Sequence, residues 1–341
     1  MDLSNSIRKT LSSDKVNLGA YTHRKGSIDT DDDPFRESSV MPLFNEDFLD
    51  QAVIELRKML AQDKSSETQI ALTGEIAQKI ESFYPHWFQR VDYPNHHLTS
   101  TSNHSIAYID EGGLNTLGKR LTSKEASILR PWPKWYYLRP LLPELTGKSV
   151  LELGSSNGFF SFRFAELGAS EVTGVEIIRS QYESAIWSAS ILGYQNVKFQ
   201  NTDVLMDFTI PTHDIVFLSE VHNHFLFPFY GLARVVNLAK ETVIFDTGAQ
   251  DNSDHRFNLS SGWTNDSKSL IYHSFTMSDG LIMDFLNLIG IPPSKVKRYK
   301  APDDHHHILY IIDTRDIQRT REKFDYPEYL RRTIEMEIKT E

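Results

Sequence analysis

What most narrows the folds open to this chain lies between residues 148 and 177. Residues 148–153 (KSVLEL) form an apolar run of buried-strand type, broken at once by Gly154-Ser-Ser-Asn-Gly158, and helical spacing starts at Phe159. A second strand run, 171–177 (EVTGVEI), follows, with Glu176 near its end. Strand, glycine turn, helix and strand in that order is the unit of a parallel sheet, because parallel neighbours need a crossover. The rhythm continues with a helix over 180–192, strands at 197–200, 214–218 and 242–246, a helix over 277–289 and a last strand at 307–312. The expected fold class is α/β, a parallel, doubly wound sheet over residues 141–314.

Upstream, residues 1–42 are polar, broken by Asp31-Asp-Asp-Pro34, and read as an arm. Leu49, Val53, Leu56 and Leu60, then Leu72, Ile76, Ile80 and Phe83, recur at helical spacing, and Lys64-Ser-Ser reads as the turn between two helices. Residues 84–140 hold Tyr84, Trp87, Phe88, Tyr93, Trp132, Trp135, Tyr136 and Tyr137. Such aromatic density fits either irregular structure covering a site or a packing layer beneath one. Residues 43–140 are thus expected as a helical, aromatic-rich extension, and 315–341 as a charged helical tail broken at Pro327.

Composition removes several chemistries. Among 341 residues there is no cysteine, which excludes disulfides, thiolate nucleophiles, Cys-ligated zinc and iron–sulfur clusters. The formal charge of −10 tells against a long nucleic-acid footprint, which needs a positive surface. Without an 18-residue apolar run or an apolar h-region in residues 1–20, the expectation is a cytoplasmic protein with no membrane partner.

Gly154 and Gly158 let a ligand approach the backbone, the following helix start offers N–H groups, and Glu176, 24 residues after Glu152, is placed for ribose hydroxyls. The pattern is Glu-x-Gly-x-x-x-Gly rather than the G-x-G-x-x-G of dinucleotide sites, and an acid two residues before the glycine suits a cationic amino-acid group. It resembles motif I of the class I S-adenosylmethionine-dependent methyltransferases, E/D-x-G-x-G-x-G, with Ser156 at the middle glycine. Asn201-Thr-Asp203-Val204 matches that family's adenine-binding acid, and Leu218-Ser-Glu220 matches motif IV. The resemblance implies a Rossmann-like sheet of class I methyltransferase type and S-adenosylmethionine as cofactor. It would be held by Glu152, Gly154, Ser155, Ser156, Asn157, Gly158, Glu176, Ile177, Asp203, Val204 and Glu220.

A narrower likeness, over 84–312, is to the group containing the tRNA wobble-uridine carboxymethyltransferase. Trp87-Phe-Gln and Trp135 precede motif I, His224 and Pro228 hold the spacing of that group's Tyr-His pair and proline, and Asn258-Leu-Ser-Ser-Gly-Trp263 is similar to a downstream segment. Asn223 stands where that group has Tyr. A donor with an extra carboxylate would draw on Arg130, Lys134 and Arg139.

His222 and His224 follow Glu220 at a strand end, where an imidazole could take a proton from a hydroxyl or amine. His224 is the expected base, with His222 and Glu220 as competitors. Trp135, His273 and His305 are the expected substrate contacts. No metal is expected, since the consecutive His305, His306 and His307 alternate faces before a strand. Lys295, Lys297, Arg298 and Lys300 read as a solvated turn or a phosphate contact. The expected function is methyl transfer to an O or N nucleophile of a small-molecule acceptor. The alternatives are tRNA wobble-uridine modification and a non-catalytic methyltransferase-like scaffold.

Overall fold

The computed structural model describes residues 45–70, 74–83, 87–93, 98–100, 120–250, 255–260, 274–302 and 307–316. The arm at 1–42, most of the tail, Trp263, His273 and His305 lie outside the described residues.

Helix α1 (Glu46–Ile70) starts where Asn45 Oδ1 accepts the Phe48 N–H at 2.9 Å, an N-cap reinforced by Glu46 and Asp47 in the first turn. It runs through Lys64-Ser-Ser, so the turn expected there is absent: Lys and Ser cost a helix little, and no glycine or proline intervenes before Gly74. Helix α2 (Gly74–Ser82) and a short antiparallel pair, β1 (Val91–Tyr93) and β2 (Leu98–Ser100), follow. Then come α3 (Ser123–Ile128) and α4 (Trp132–Leu138). Of the two readings of the aromatic block, the described part is a packing layer. Phe83 and Tyr93 meet Trp187 with ring centroids 5.8 and 5.7 Å apart. Trp135, expected at the substrate, is only 5% exposed and packs on Phe159, Phe160 and Phe164 at 6.5, 6.3 and 6.1 Å.

The main sheet is built from β3 (Ser149–Leu153), β4 (Glu171–Val175), β5 (Val197–Gln200), β6 (His213–Ser219) and β7 (Ala239–Gln250), all parallel. Helices α5 (Phe159–Glu166), α6 (Arg179–Leu192) and α7 (Pro228–Leu238) connect them. Helix α7, unforeseen in the sequence, has Pro228 in its first turn, where the missing N–H costs nothing. Two further strands, β8 (Phe257–Ser260) and β9 (Ser274–Ser278), extend the end of β7, and α8 (Asp279–Leu288) leads to β10 (Val296–Lys300) and β11 (His307–Asp313).

The order is β10-β11-β7-β6-β3-β4-β5, with β11 antiparallel to both neighbours. The sheet is the expected doubly wound one, with a single reversed strand, because the short link from β10 to β11 permits only a hairpin. Of the basic cluster, Lys295 does lie in a turn and Lys297 is exposed, but Arg298 is not solvated. Arg298 lies buried on β10 and pairs with Asp279, whose Oδ1 also accepts the Tyr310 hydroxyl at 2.9 Å.

The chain steps outward from β3 to β5, then crosses back to β6, so the strand order switches between β3 and β6. A ligand crevice opens beyond the strand ends at such a switch. The four phenylalanines of α5 (Phe159, Phe160, Phe162, Phe164) are all buried beneath the aromatic layer. Trp135→Ala should therefore cost about 3–5 kcal/mol, read as a lowered urea midpoint with unchanged slope. A loss under about 1 kcal/mol would show that the indole is not part of this core.

Candidate active site

The turn after β3 is built for close approach. Gly154 has φ +68°, and a Cβ there would fall 2.3 Å from the Val221 side chain, so the turns after β3 and β6 touch. Ser156, at the family's middle glycine, keeps the left-handed backbone at φ +49°, and so does Glu220 at φ +56°. Left-handed non-glycine residues cost about 1–3 kcal/mol each and gather at functional sites. Ser155 Oγ is buried and has no hydrogen-bond partner among the described residues.

Two acids lie under this turn. Glu152 is 1% exposed, its one hydrogen-bonding neighbour is the Ser161 hydroxyl, and burial pushes its carboxyl up to about 8. Glu176 accepts the Ser156 and Ile178 N–H groups at 2.8 and 2.7 Å, one on each oxygen. Burial raises it too, against those bonds. With the Ile177 N–H also on this carboxylate, lone-pair capacity for a further donor remains. Beside it, Ile177 exposes 60% of its surface. Asp203 caps its own loop, accepting the Leu205 N–H at 2.8 Å, while Val204 is buried and its carbonyl accepts Arg234 Nε at 2.6 Å.

This set fits S-adenosylmethionine: a buried carboxyl for an ammonium group, an unpaired hydroxyl, strand-end acids for hydroxyls and an amino group, and an apolar wall for a ring. Asn157 does not fit that role. It is fully buried, its Oδ1 accepts the Phe88 and Gln89 N–H groups at 2.7 and 3.1 Å, and its Nδ2 donates to Ser184 Oγ at 2.7 Å. The helix start is not open as expected, since Gln89 Oε1 accepts the Phe159 N–H at 3.0 Å. A polar segment of the extension thus holds the glycine turn in place, a role invisible in local spacing.

At the ends of β6 and β7 the structure gathers charges. Lys134 Nζ lies 2.5 Å from Glu220 Oε1, 2.6 Å from Asp246 Oδ2 and 2.9 Å from Ser219 Oγ. Arg130 reaches Glu220 Oε2 at 3.3 Å, so Arg130 and Lys134 already have anionic partners, while Arg139 is exposed. His307 Nδ1 stands 3.9 Å from both Glu220 Oε1 and Asp246 Oδ1. Desolvation opposes charge on Glu220 and Asp246, but Lys134 and His307 outweigh it and hold both carboxyls low. Glu220, Asp246 and His307 could offer three ligand atoms to a metal ion, yet the Lys134 ammonium already bridges the two carboxylates.

The histidines fall differently from the sequence expectation. His222, a proposed base, is 2% exposed, its Nε2 donates to the Pro228 carbonyl at 2.9 Å, and burial lowers it to about 4. Its ring packs edge-on to Phe245 at 4.8 Å, so it holds the turn before α7. His224 is exposed on that turn. Asp246 and His307 lie outside the site residues that the sequence motifs point to. Their signal in the sequence is an acid near the end of a buried strand, as at Glu220, and a histidine opening the next neighbour.

Glu152 gives a pH test. Its folded value, about 8, exceeds the ordinary 4.5, so between those limits the native state holds a proton that the unfolded chain releases. Its contribution to stability therefore falls as pH rises through that window. Glu152→Gln, which keeps the uncharged shape, should melt with the wild type near pH 5 and progressively above it toward pH 8. A constant difference in melting temperature would refute the assignment.

No curated protein matches the chain by sequence. Among solved structures it is similar to the N-terminal domain of EvdMO1 with S-adenosylhomocysteine bound, at 15% identity over 71% of this chain and 95% of that one, with a TM-score of 0.50. Magnesium protoporphyrin IX methyltransferase from Synechocystis PCC 6803 is similar at 15% identity over 54% and 76%, with a TM-score of 0.38. An S-adenosylmethionine-dependent methyltransferase from Mesorhizobium loti is similar at 15% over 53% and 97%, with a TM-score of 0.40. At 15% identity the likeness to the EvdMO1 domain is one of fold. Residues 145–274 match the family model described as a methyltransferase domain. Over those residues the chain is similar to a methyltransferase domain, and its sheet has the strand order of the class I, Rossmann-like fold.

Proposed function

We propose that this protein transfers a methyl group from S-adenosylmethionine to an O or N nucleophile of a small-molecule acceptor. The observation that carries the cofactor reading is Glu152, which among the described residues is a buried carboxyl without a cationic partner, beneath a glycine turn whose Ser155 hydroxyl is also unpaired among them. Glu152, Gly154, Ser155, Ser156 and Gly158 would receive the amino-acid end, Glu176 the ribose, and Ile177 with Asp203 the adenine. Glu220 and Val221 would wall the methyl end. When bound, the cofactor supplies an electrophilic methyl group, and the protein's task is to align the acceptor with it. The formal charge of −10 supports a small acceptor over tRNA. Among the described residues no helix is long and apolar enough to cross a membrane.

Titration calorimetry with S-adenosylhomocysteine tests the reading. An ammonium group beside Glu152 would favour its ionised form, so binding at pH 7 should release a proton, seen as different heats in phosphate and Tris buffers. No binding in either buffer would overturn the cofactor assignment. With binding established, labelled S-adenosylmethionine should mark a member of a panel of phenols, hexoses and heteroaryl amines. Label entering tRNA instead, with salt-sensitive tRNA binding, would replace the small-molecule reading with wobble-uridine modification. Cofactor binding with label in neither would favour the scaffold reading.

A further inference from the structure

Methyl transfer to a hydroxyl or amine needs a group that removes the acceptor's proton. His222 is committed to the Pro228 carbonyl, and Glu220 to Lys134 and Arg130. His224 is exposed on the turn between them and α7. His307 stands apart. It opens β11 opposite Gly248 of β7, two residues past Asp246, and its side chain is 25% exposed. Its Nδ1 faces two carboxylate oxygens, Glu220 Oε1 and Asp246 Oδ1, each at 3.9 Å. Asp246 Oδ1 is buried and has no hydrogen bond among the described residues, so an acceptor atom lies ready beside the ring.

We propose that His307 is the proton acceptor in methyl transfer, and that Asp246 and Glu220 are positioning residues that fix its Nδ1. The proposal rests on the methyltransferase reading. A carboxylate behind one ring nitrogen holds its proton and fixes the tautomer, which leaves Nε2, on the opposite side of the ring, as the base. The distance of 3.9 Å is too long for a hydrogen bond, but such contacts tighten when a site closes on its ligands. In the reaction the methyl–sulfur bond breaks with its electron pair left on sulfur. The methyl–oxygen or methyl–nitrogen bond forms, and the acceptor's proton passes to His307 Nε2.

The charges facing the ring come from three elements: Glu220 after β6, Asp246 on β7 and Lys134 on α4, with Arg130 acting through Glu220. On the adjoining β10, Lys300 lies opposite Ile308, the next residue along. Burial opposes protonation of the ring, but Asp246 and Glu220 outweigh it and hold His307 above the ordinary imidazole value. Its base form therefore appears on the alkaline side of that value, and the rate should rise with pH there.

Histidine-labelled protein followed by NMR through a pH titration tests the proposal, with His307→Gln identifying the resonance. His307 should titrate above 6.5 in the wild type and fall by about one unit or more in Asp246→Asn. Glu220→Gln should move it the same way and serves if Asp246→Asn does not fold. With an acceptor from the panel, the acid limb of the rate profile should move down by the same amount in Asp246→Asn. His307→Gln should lose roughly 10²–10⁴-fold in kcat while binding S-adenosylhomocysteine as the wild type does. A His307 that titrates normally in all three proteins overturns the proposal, as does a His307→Gln enzyme within threefold of wild-type kcat. Failure of the methyltransferase reading would show separately, as absent S-adenosylhomocysteine binding with the histidine titration unchanged.

Discussion

The contact on which the rest of the arrangement depends is the Lys134 ammonium between Glu220 and Asp246. Lys134 belongs to the N-terminal extension, while the two acids belong to neighbouring strands of the sheet, with Ser219 and Asp246 directly paired. A buried charge without a partner costs several kcal/mol, and removing one member of such a pair typically costs about 3–5 kcal/mol. Two carboxylates this close would repel without a cation, and one would take up a proton. The lysine keeps both ionised, draws the strand ends together and supplies the charged background that His307 faces.

A second constraint lies at the switch between β3 and β6. The turns after these strands are so close that Gly154 has no room for a side chain beside Val221, and each turn carries one left-handed non-glycine residue. Both strained positions, Ser156 and Glu220, are held by their own N–H groups, Ser156 on the Glu176 carboxylate and Glu220 on the Asp246 carbonyl at 2.9 Å. At Glu220 the ion pairs to Lys134 and Arg130 add to that bond. The floor of the crevice is thus set by hydrogen bonds on both sides and by charge on one.

The strand and helix rhythm was legible because buried parallel strands are short apolar runs and their connecting helices are amphipathic or apolar. The five parallel strands and α5, α6 and α8 fell close to where the periodicity put them. What misled was non-local. Arg298 looks solvated until Asp279 and Tyr310 are brought opposite it. Ser-Ser looks like a turn although it sits within a helix. Trp135 and Asn157 carry the right residue types for ligand contacts, yet the partners that bury them come from α5 and from Phe88 and Gln89. His307 could not be separated from its histidine neighbours without knowing which strand it would pair with. The likeness to methyltransferase motif I found the turn and its acids, because those contacts are local in sequence. The proposed base, its two carboxylates and the lysine between them span Lys134 to His307, and only the sheet order and the extension join them.

The bonds from Gln89 and Phe88 into the turn after β3 bear on how the chain divides into units. The segment that matches the methyltransferase family begins at residue 145, as if the sheet were self-contained. Cut there, α5 would lose the side chain that caps its first N–H, Asn157 Oδ1 would lose the Phe88 and Gln89 N–H groups, and Asp246 would lose the Lys134 cation. The family boundary therefore marks where sequence similarity stops. The unit that could fold alone is larger, and the extension belongs inside it.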